Sequence, residues 1–89
     1  MRFDLYVCRI IEEIIKFYYK DIDIDEFLDN TWGLFKIIKD DSDEVFQDEF
    51  FQYWSYFEEI FASGSEQPFY NEVHCKMLSN FKSAMKVFI

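Results

Sequence analysis

Apolar residues recur every three or four positions along nearly the whole chain, the spacing that places them on one face of an α-helix. No stretch alternates between apolar and polar residues as a half-buried β-strand does. The pattern divides into four amphipathic segments, at roughly 3–20, 24–39, 43–62 and 69–88. Four such helices joined by short connections pack most simply as an antiparallel bundle. The sequence therefore predicts an all-α fold, an antiparallel four-helix bundle, with residues 1–89 as a single helical domain.

The same spacing predicts which side chains face the core. In the first segment these are Val7, Cys8, Ile11, Ile14, Ile15 and Tyr18, with Arg9, Glu12, Glu13, Lys16 and Lys20 on the opposite face. In the second they are Ile24, Phe27, Leu28, Thr31, Leu34, Phe35 and Ile38. In the third they are Phe46, Phe50, Tyr53, Phe57, Ile60 and Phe61, with Trp54 at the margin. In the fourth they are Tyr70, Val73, Met77, Phe81, Ala84, Met85 and Phe88.

Polar residues and sparse glycines mark the breaks between segments. Asp23 or Asp25 is suited to cap the second helix and Ser42 the third, because their side-chain oxygens accept hydrogen bonds from unpaired backbone amides. Gly33 interrupts the second segment, where glycine costs about 1 kcal/mol relative to alanine, and it is expected to mark a close approach of another element. The stretch 62–68 is the clearest loop.

Charge is concentrated in the middle of the chain. There are 18 acidic residues against 9 lysines and arginines, for a net charge of −9. Residues 21–72 hold fifteen of these acids and only two lysines, a net charge of −13, whereas both ends are net positive. Such a field repels nucleic acid and anionic membranes and attracts basic partners. Self-repulsion also keeps a chain with 22% aromatic residues soluble, but the local excess favours a basic partner.

Few residues are suited to catalysis. His74 is the only histidine and falls at the edge of the inward face of the fourth segment, where filling the rim of the core explains it. Cys75 is expected on the outer face, without a basic cluster to lower its pKa. On a helix, neighbouring side chains point about 100° apart, which argues against a dyad of these two residues. The sequence predicts a protein that is not an enzyme.

Metal and cofactor motifs are also missing from the sequence. One histidine and two distant cysteines cannot make a typical structural zinc site. The acids of the stretch 21–25 imitate a calcium-binding loop, but Glu26 and Trp32 stand where that loop requires glycine and glutamate. With two glycines, a phosphate-binding loop is excluded. We therefore expect no cofactor and no metal.

The N-terminal sequence does not resemble a signal peptide, because Asp4 and a helical pattern come too early. No apolar run is long enough for a transmembrane helix. Cys8 and Cys75 are therefore expected to be reduced, and the protein is expected in the cytoplasm.

One surface stands out as a candidate binding site. Acidic residues gather at the break before the third segment and continue along its outer face, where Phe51 lies among them in a position that normally holds a polar residue. An aromatic anchor surrounded by charge is typical of a protein-binding site. The predicted partner-binding residues are Asp40, Asp41, Asp43, Glu44, Asp48, Phe51, Ser55, Glu58 and Glu59.

In layout the chain resembles the immunity proteins that bacteria make beside nuclease toxins. It is most similar in style to the colicin D immunity protein family and to immunity proteins of contact-dependent growth inhibition systems. The resemblance covers roughly residues 10–85. It is carried by the break between Phe17 and Phe27, by Asp25-Glu26-Phe27-Leu28, by Trp32, and by the run Asp48-Glu49-Phe50-Phe51-Gln52-Tyr53-Trp54.

The resemblance implies a one-to-one complex with the C-terminal nuclease domain of a toxin, with a tRNase as the expected kind of nuclease, blocked at its active-site cleft or at an exosite beside it. A nucleic-acid-mimicking phage-type inhibitor, acting against restriction or CRISPR enzymes, would share the acidity and is the alternative. The aromatic content is also compatible with a homodimer, although the immunity function does not require one.

Overall fold

The computed structural model describes residues 3–62 and 72–89. Within these residues there are four α-helices: α1 (Phe3–Tyr18), α2 (Ile24–Ile38), α3 (Glu44–Ala62) and α4 (Glu72–Lys86). A short 3-10 turn at Lys39–Asp41 connects α2 to α3. Tyr70 and most of the predicted loop at 62–68 lie outside the described residues. No helix in the described part of the chain has both the length and the apolar character needed to cross a membrane.

The helices pack as an antiparallel four-helix bundle, which confirms the predicted fold. Phe17 near the end of α1 stacks on Phe27 near the start of α2, with ring centroids 4.7 Å apart. Phe35 near the end of α2 stacks on Phe50 in the first half of α3 at 4.2 Å, and Phe50 contacts Phe81 in the second half of α4 at 5.8 Å. Helix α1 lies beside α2 and α4, and α3 lies beside the same two helices.

The predicted inward face of α2 is correct. Its buried residues are Ile24, Phe27, Leu28, Thr31, Phe35 and Ile38, and Leu34 is partly buried. The buried hydroxyl of Thr31 donates a hydrogen bond to the carbonyl oxygen of Phe27 at 2.7 Å, so the one polar side chain on this face is satisfied.

The predicted inward face of α1 was wrong in part. Cys8, Ile15 and Tyr18 are exposed. Ile10, Glu13 and Phe17 are buried instead, together with the correctly predicted Val7, Ile11 and Ile14. The helix is rotated because Phe17, which buries more surface than Tyr18, packs against Phe27 and Phe57.

Burial of Glu13 is possible because each oxygen of its carboxylate has a polar partner. Asn30 of α2 donates a hydrogen bond to Oε1 at 2.7 Å, and Lys16 lies 3.1 Å from Oε2. Glu13 therefore joins α1 to α2 through a polar contact that the helical periodicity alone does not reveal. A neighbouring carboxylate also raises the pKa of Lys16, through the hydrogen bond to Glu13.

The inward faces of α3 and α4 were predicted with three further errors. Phe46, Phe50, Phe57, Phe81 and Met85 are buried as expected, while Tyr53, Ile60, Met77, Ala84 and Phe88 are partly buried. Phe61, in the last turn of α3, and Val73, in the first turn of α4, are 43% and 62% exposed. Leu78 of α4, which the prediction omitted, is buried. Helix ends extend past their neighbours, so a residue there can have the right periodicity and still find nothing to pack against.

Of the two predicted helix caps, the first is confirmed and the second is wrong. The carboxylate of Asp23 accepts a hydrogen bond from the Glu26 amide at 2.8 Å, as expected of a cap. Helix α3, however, is capped by Asp43, whose Oδ1 accepts from the Phe46 amide at 2.9 Å, and not by Ser42. The Ser42 hydroxyl instead donates to the Lys39 carbonyl oxygen and closes the 3-10 turn.

Gly33 does not mark a close approach within the chain. A Cβ atom placed there would have no heavy atom within 4 Å, and the position is exposed. The close packing that a helical glycine can allow is therefore not used inside this molecule.

Candidate partner-binding surface

The nine predicted partner-binding residues follow one edge of the bundle. Asp40 and Asp41 lie in the 3-10 turn, Asp43 caps α3, and the other six lie on α3. Seven of the nine are exposed, and Ser55 and Glu58 are partly buried. The line from Glu44 to Glu59 extends for about 22 Å at the helical rise per residue.

None of the candidate carboxylates forms a close ion pair with a described residue. Within residues 3–62 and 72–89, the one ion pair closer than 4 Å is Lys16–Glu13, which joins no residue of this surface. The charges of the candidate surface therefore act on the solvent and on an approaching molecule.

Phe51 does not stand alone on this surface. Its ring is 48% exposed and meets Trp32 of α2 and Trp54 of α3 edge-on, at centroid distances of 5.8 and 6.2 Å. The two tryptophan rings are 4.7 Å apart. The Trp54 indole donates a hydrogen bond to the Leu28 carbonyl oxygen at 3.3 Å. We call Trp32, Phe51 and Trp54 the aromatic patch.

The prediction missed the contribution of α2 to this site. Asp25, Asp29, Trp32 and Lys36 follow one another at spacings of four, three and four residues, so they share one face of α2. That face borders α3 because Trp32 contacts Phe51. The spacing was readable in the sequence, but only the packing of α2 against α3 brings this face to the aromatic patch.

The fold converts a charged stretch of sequence into a charged side of the bundle. Residues 24–62, which form α2, the 3-10 turn and α3, hold eleven acidic residues and two lysines, a net charge of −9. Helices α1 and α4 together hold four acidic and five basic residues, a net charge of +1. Because α2 lies beside α3 and α1 beside α4, these two groups form opposite halves. We call residues 24–62 the acidic half.

The only histidine serves a contact between helices. His74 is 7% exposed, and its Nδ1 lies 2.8 Å from the hydroxyl of Tyr56 on α3. Burial lowers the pKa of His74 and raises the pKa of Tyr56.

Cys75, predicted on the outer face, is partly buried. Among the described residues, no group of three histidine, cysteine or acidic side chains is arranged to hold a metal ion.

No protein-family model matches the chain, and neither a curated protein nor a solved structure matches it significantly.

Proposed function

We propose that this protein is an immunity protein that binds a cognate bacterial nuclease toxin in the cytoplasm and neutralises it in a one-to-one complex. The acidic half covers the basic active-site cleft of the toxin, whose proposed activity is that of a tRNase. The observation that carries the proposal is the exposed aromatic patch, bordered by carboxylates that form no ion pair closer than 4 Å with any described residue.

Each part of this surface has a separate physical role in such a complex. A nuclease cleft is lined with lysine and arginine that bind phosphates, and carboxylates such as Asp48 and Glu58 fit the same groups. The field of the acidic half speeds the encounter and fixes the orientation of the partner. Phe51 supplies apolar surface that is desolvated on contact, which is where most binding energy arises.

The alternative is an inhibitor that imitates nucleic acid, of the kind phages use against restriction or CRISPR enzymes. The line of exposed acids from Asp40 to Glu59 favours it, because a row of carboxylates can replace a row of phosphates. The two functions differ in what carries the affinity. A mimic depends on the number of charges, whereas the immunity protein depends on the aromatic patch as well.

The test is co-purification with the C-terminal nuclease domain encoded by the neighbouring gene, together with a tRNA-cleavage assay. We expect a one-to-one complex that abolishes cleavage and weakens as salt is raised. The absence of a complex would contradict the proposal. So would a complex in which the toxin still cleaves tRNA, or equally tight binding to other nucleases.

Two matched substitutions then separate the immunity protein from the mimic. Phe51→Ala removes the centre of the aromatic patch and is expected to weaken binding at least tenfold, the usual effect of losing an aromatic hot spot. Phe61→Ala is the control, since Phe61 lies on the same helix, is similarly exposed at 43%, and is outside the patch. Circular dichroism confirms that both variants fold. Equal effects of the two substitutions would favour the mimic.

Intrinsic fluorescence gives an independent measurement of where the partner sits. Trp32 and Trp54 are the only two tryptophans in the chain, and both belong to the aromatic patch. A partner without tryptophan that covers the patch should shift their emission to shorter wavelength. An unchanged spectrum in a saturated complex would place the partner elsewhere on the molecule.

A further inference from the structure

The side of the bundle opposite the acidic half presents apolar side chains to solvent. On α1 and just after it, Ile15 is 39% exposed, Tyr18 43% and Tyr19 69%, and Cys8 is exposed on the same side. A groove of about 170 Å³ lies between α1 and α4 on this side of the bundle. Ser79 and Lys82 form the α4 wall of this groove. We call Cys8, Ile15, Tyr18, Tyr19, Ser79 and Lys82 the α1–α4 surface.

Charge decides which molecule can cover this surface. Two copies of a chain with a net charge of −9 repel each other most strongly when their acidic halves meet. Helices α1 and α4 carry a net charge of only +1, so the α1–α4 surface is the side on which a second copy can approach without that repulsion. The bulky side chains Ile15, Tyr18 and Tyr19 lie on or just after α1, whereas the small Ser79 lies on α4. The α1 part of the surface in one copy can therefore fit against the α4 part in a second copy.

We propose that two copies of this chain pair through the α1–α4 surface about a two-fold axis parallel to the helices. In this arrangement α1 of each copy lies on α4 of the other, so that Tyr19 and Ile15 pack over Ser79. Helix α1 begins where α4 ends, because Phe3 and Phe88 both contact Phe46.

The two-fold arrangement also pairs opposite charges. The start of α1 in one copy meets the end of α4 in the other, which brings Asp4 toward Lys86 of the second copy. Every such contact occurs twice, as a two-fold interface requires. The acidic halves then face outward on both sides of the dimer, and each remains accessible to its own partner.

The test is sedimentation equilibrium of the whole chain over a concentration series, at low and at high salt. We expect a reversible monomer–dimer equilibrium that persists or strengthens at high salt, because salt screens the overall repulsion. Tyr19→Lys should weaken the dimer at least tenfold, since it removes a large contact and adds a cation close to Lys82. Val45→Lys is the matched control: Val45 is 61% exposed on α3, and the substitution changes the net charge equally.

Three results would overturn the dimer. The first is a monomer at every concentration and salt. The second is a dimer that Val45→Lys weakens as much as Tyr19→Lys does. The third is a dimer lost on raising salt, which would indicate head-to-tail pairing of α4 with the acidic half. The outcome is independent of the proposed immunity function, because Tyr19 lies outside the acidic half and its substitution should leave toxin binding unchanged.

Discussion

Replacing Gly33 with alanine is expected to make the protein more stable. Gly33 lies in the interior of α2, where glycine is about 1 kcal/mol less favourable than alanine because the unfolded chain loses more freedom on folding. An added methyl group meets no heavy atom within 4 Å, so no steric cost offsets this gain. The expected change in the free energy of unfolding is therefore an increase of about 1 kcal/mol.

The corresponding change in melting temperature follows from the size of the chain. Unfolding entropy is about 2.1 cal/mol/K per residue, which gives about 0.19 kcal/mol/K for a chain of 89 residues. An increase of about 1 kcal/mol then raises Tm by about 5 °C. Thermal and urea denaturation followed by circular dichroism measure both quantities, at a protein concentration held constant so that self-association does not contribute.

Gly33→Val is the graded control for this prediction. Valine has a helix propensity between those of glycine and alanine, and the site is open to solvent, so we expect roughly half the gain of alanine. A loss of stability in Gly33→Ala would refute the reasoning, since it would mean that the space above Gly33 is occupied in the folded protein. An equal gain from both residues would show that helix propensity is not the cause.

Three further predictions concern the core and its polar contacts. Phe57→Ala, at a fully buried position between Phe17 and Phe27, should lower the free energy of unfolding by about 3–5 kcal/mol in urea denaturation. Glu13→Ala should cost about 0.5–1.5 kcal/mol, because it removes the hydrogen bond that joins α1 to α2 while the exposed Asn30 amide can turn to water; a neutral result would show that water replaces this bond without loss. Burial lowers the pKa of His74 from its usual 6.5, so the unfolded chain binds this proton first. The contribution of His74 to the free energy of unfolding is therefore complete above about pH 6.5 and is lost as the pH falls through the pKa of the folded protein. Stability should depend less steeply on pH in His74→Gln than in the unchanged protein. Identical pH profiles of stability would exclude this contribution.

The helical fold was readable from the sequence because one signal repeats through it. Apolar residues at three- and four-residue spacing give α2 its correct inward face, and with few glycines there is little to interrupt the pattern. The rotation of α1 was not readable. Ile14 and Ile15, or Phe17 and Tyr18, fit adjacent faces almost equally well, and the choice depends on the stacking of Phe17 on Phe27 from another helix.

The end of α1 shows a second limit of sequence-based prediction. The amide of Lys20 donates to the Phe17 carbonyl oxygen and the amide of Asp21 to that of Lys16, the pattern that commonly ends a helix. The left-handed residue in this turn is Lys20, with φ of 65°, where glycine is usual. Composition predicts such a turn only when glycine is present, so the break was assigned to Asp21–Asp23 from polarity alone.

The candidate surface divides into residues that also stabilise the fold and residues that do not. Asp43 caps α3, and Trp54 joins α3 to α2 through the Leu28 carbonyl oxygen. Loss of binding after substituting either one is therefore ambiguous. Glu59 is exposed and forms no ion pair among the described residues, so its substitution tests binding more directly. Phe51 is exposed but also contacts Trp32 and Trp54, so its substitution requires the folding control.

The order of helices explains why the acidity of the middle of the chain becomes a surface. In an antiparallel bundle with short connections, consecutive helices are neighbours, so α2 and α3 must share a side whatever their charge. Their facing edges place Trp32 beside Phe51 and surround both with carboxylates. Had the same acids been divided between α1 and α3, which lie diagonally, the field would have been spread around the bundle. A directed field and an aromatic patch therefore arise together from one feature of the sequence, the placement of eleven of its eighteen acidic residues in two successive helices and the connection between them.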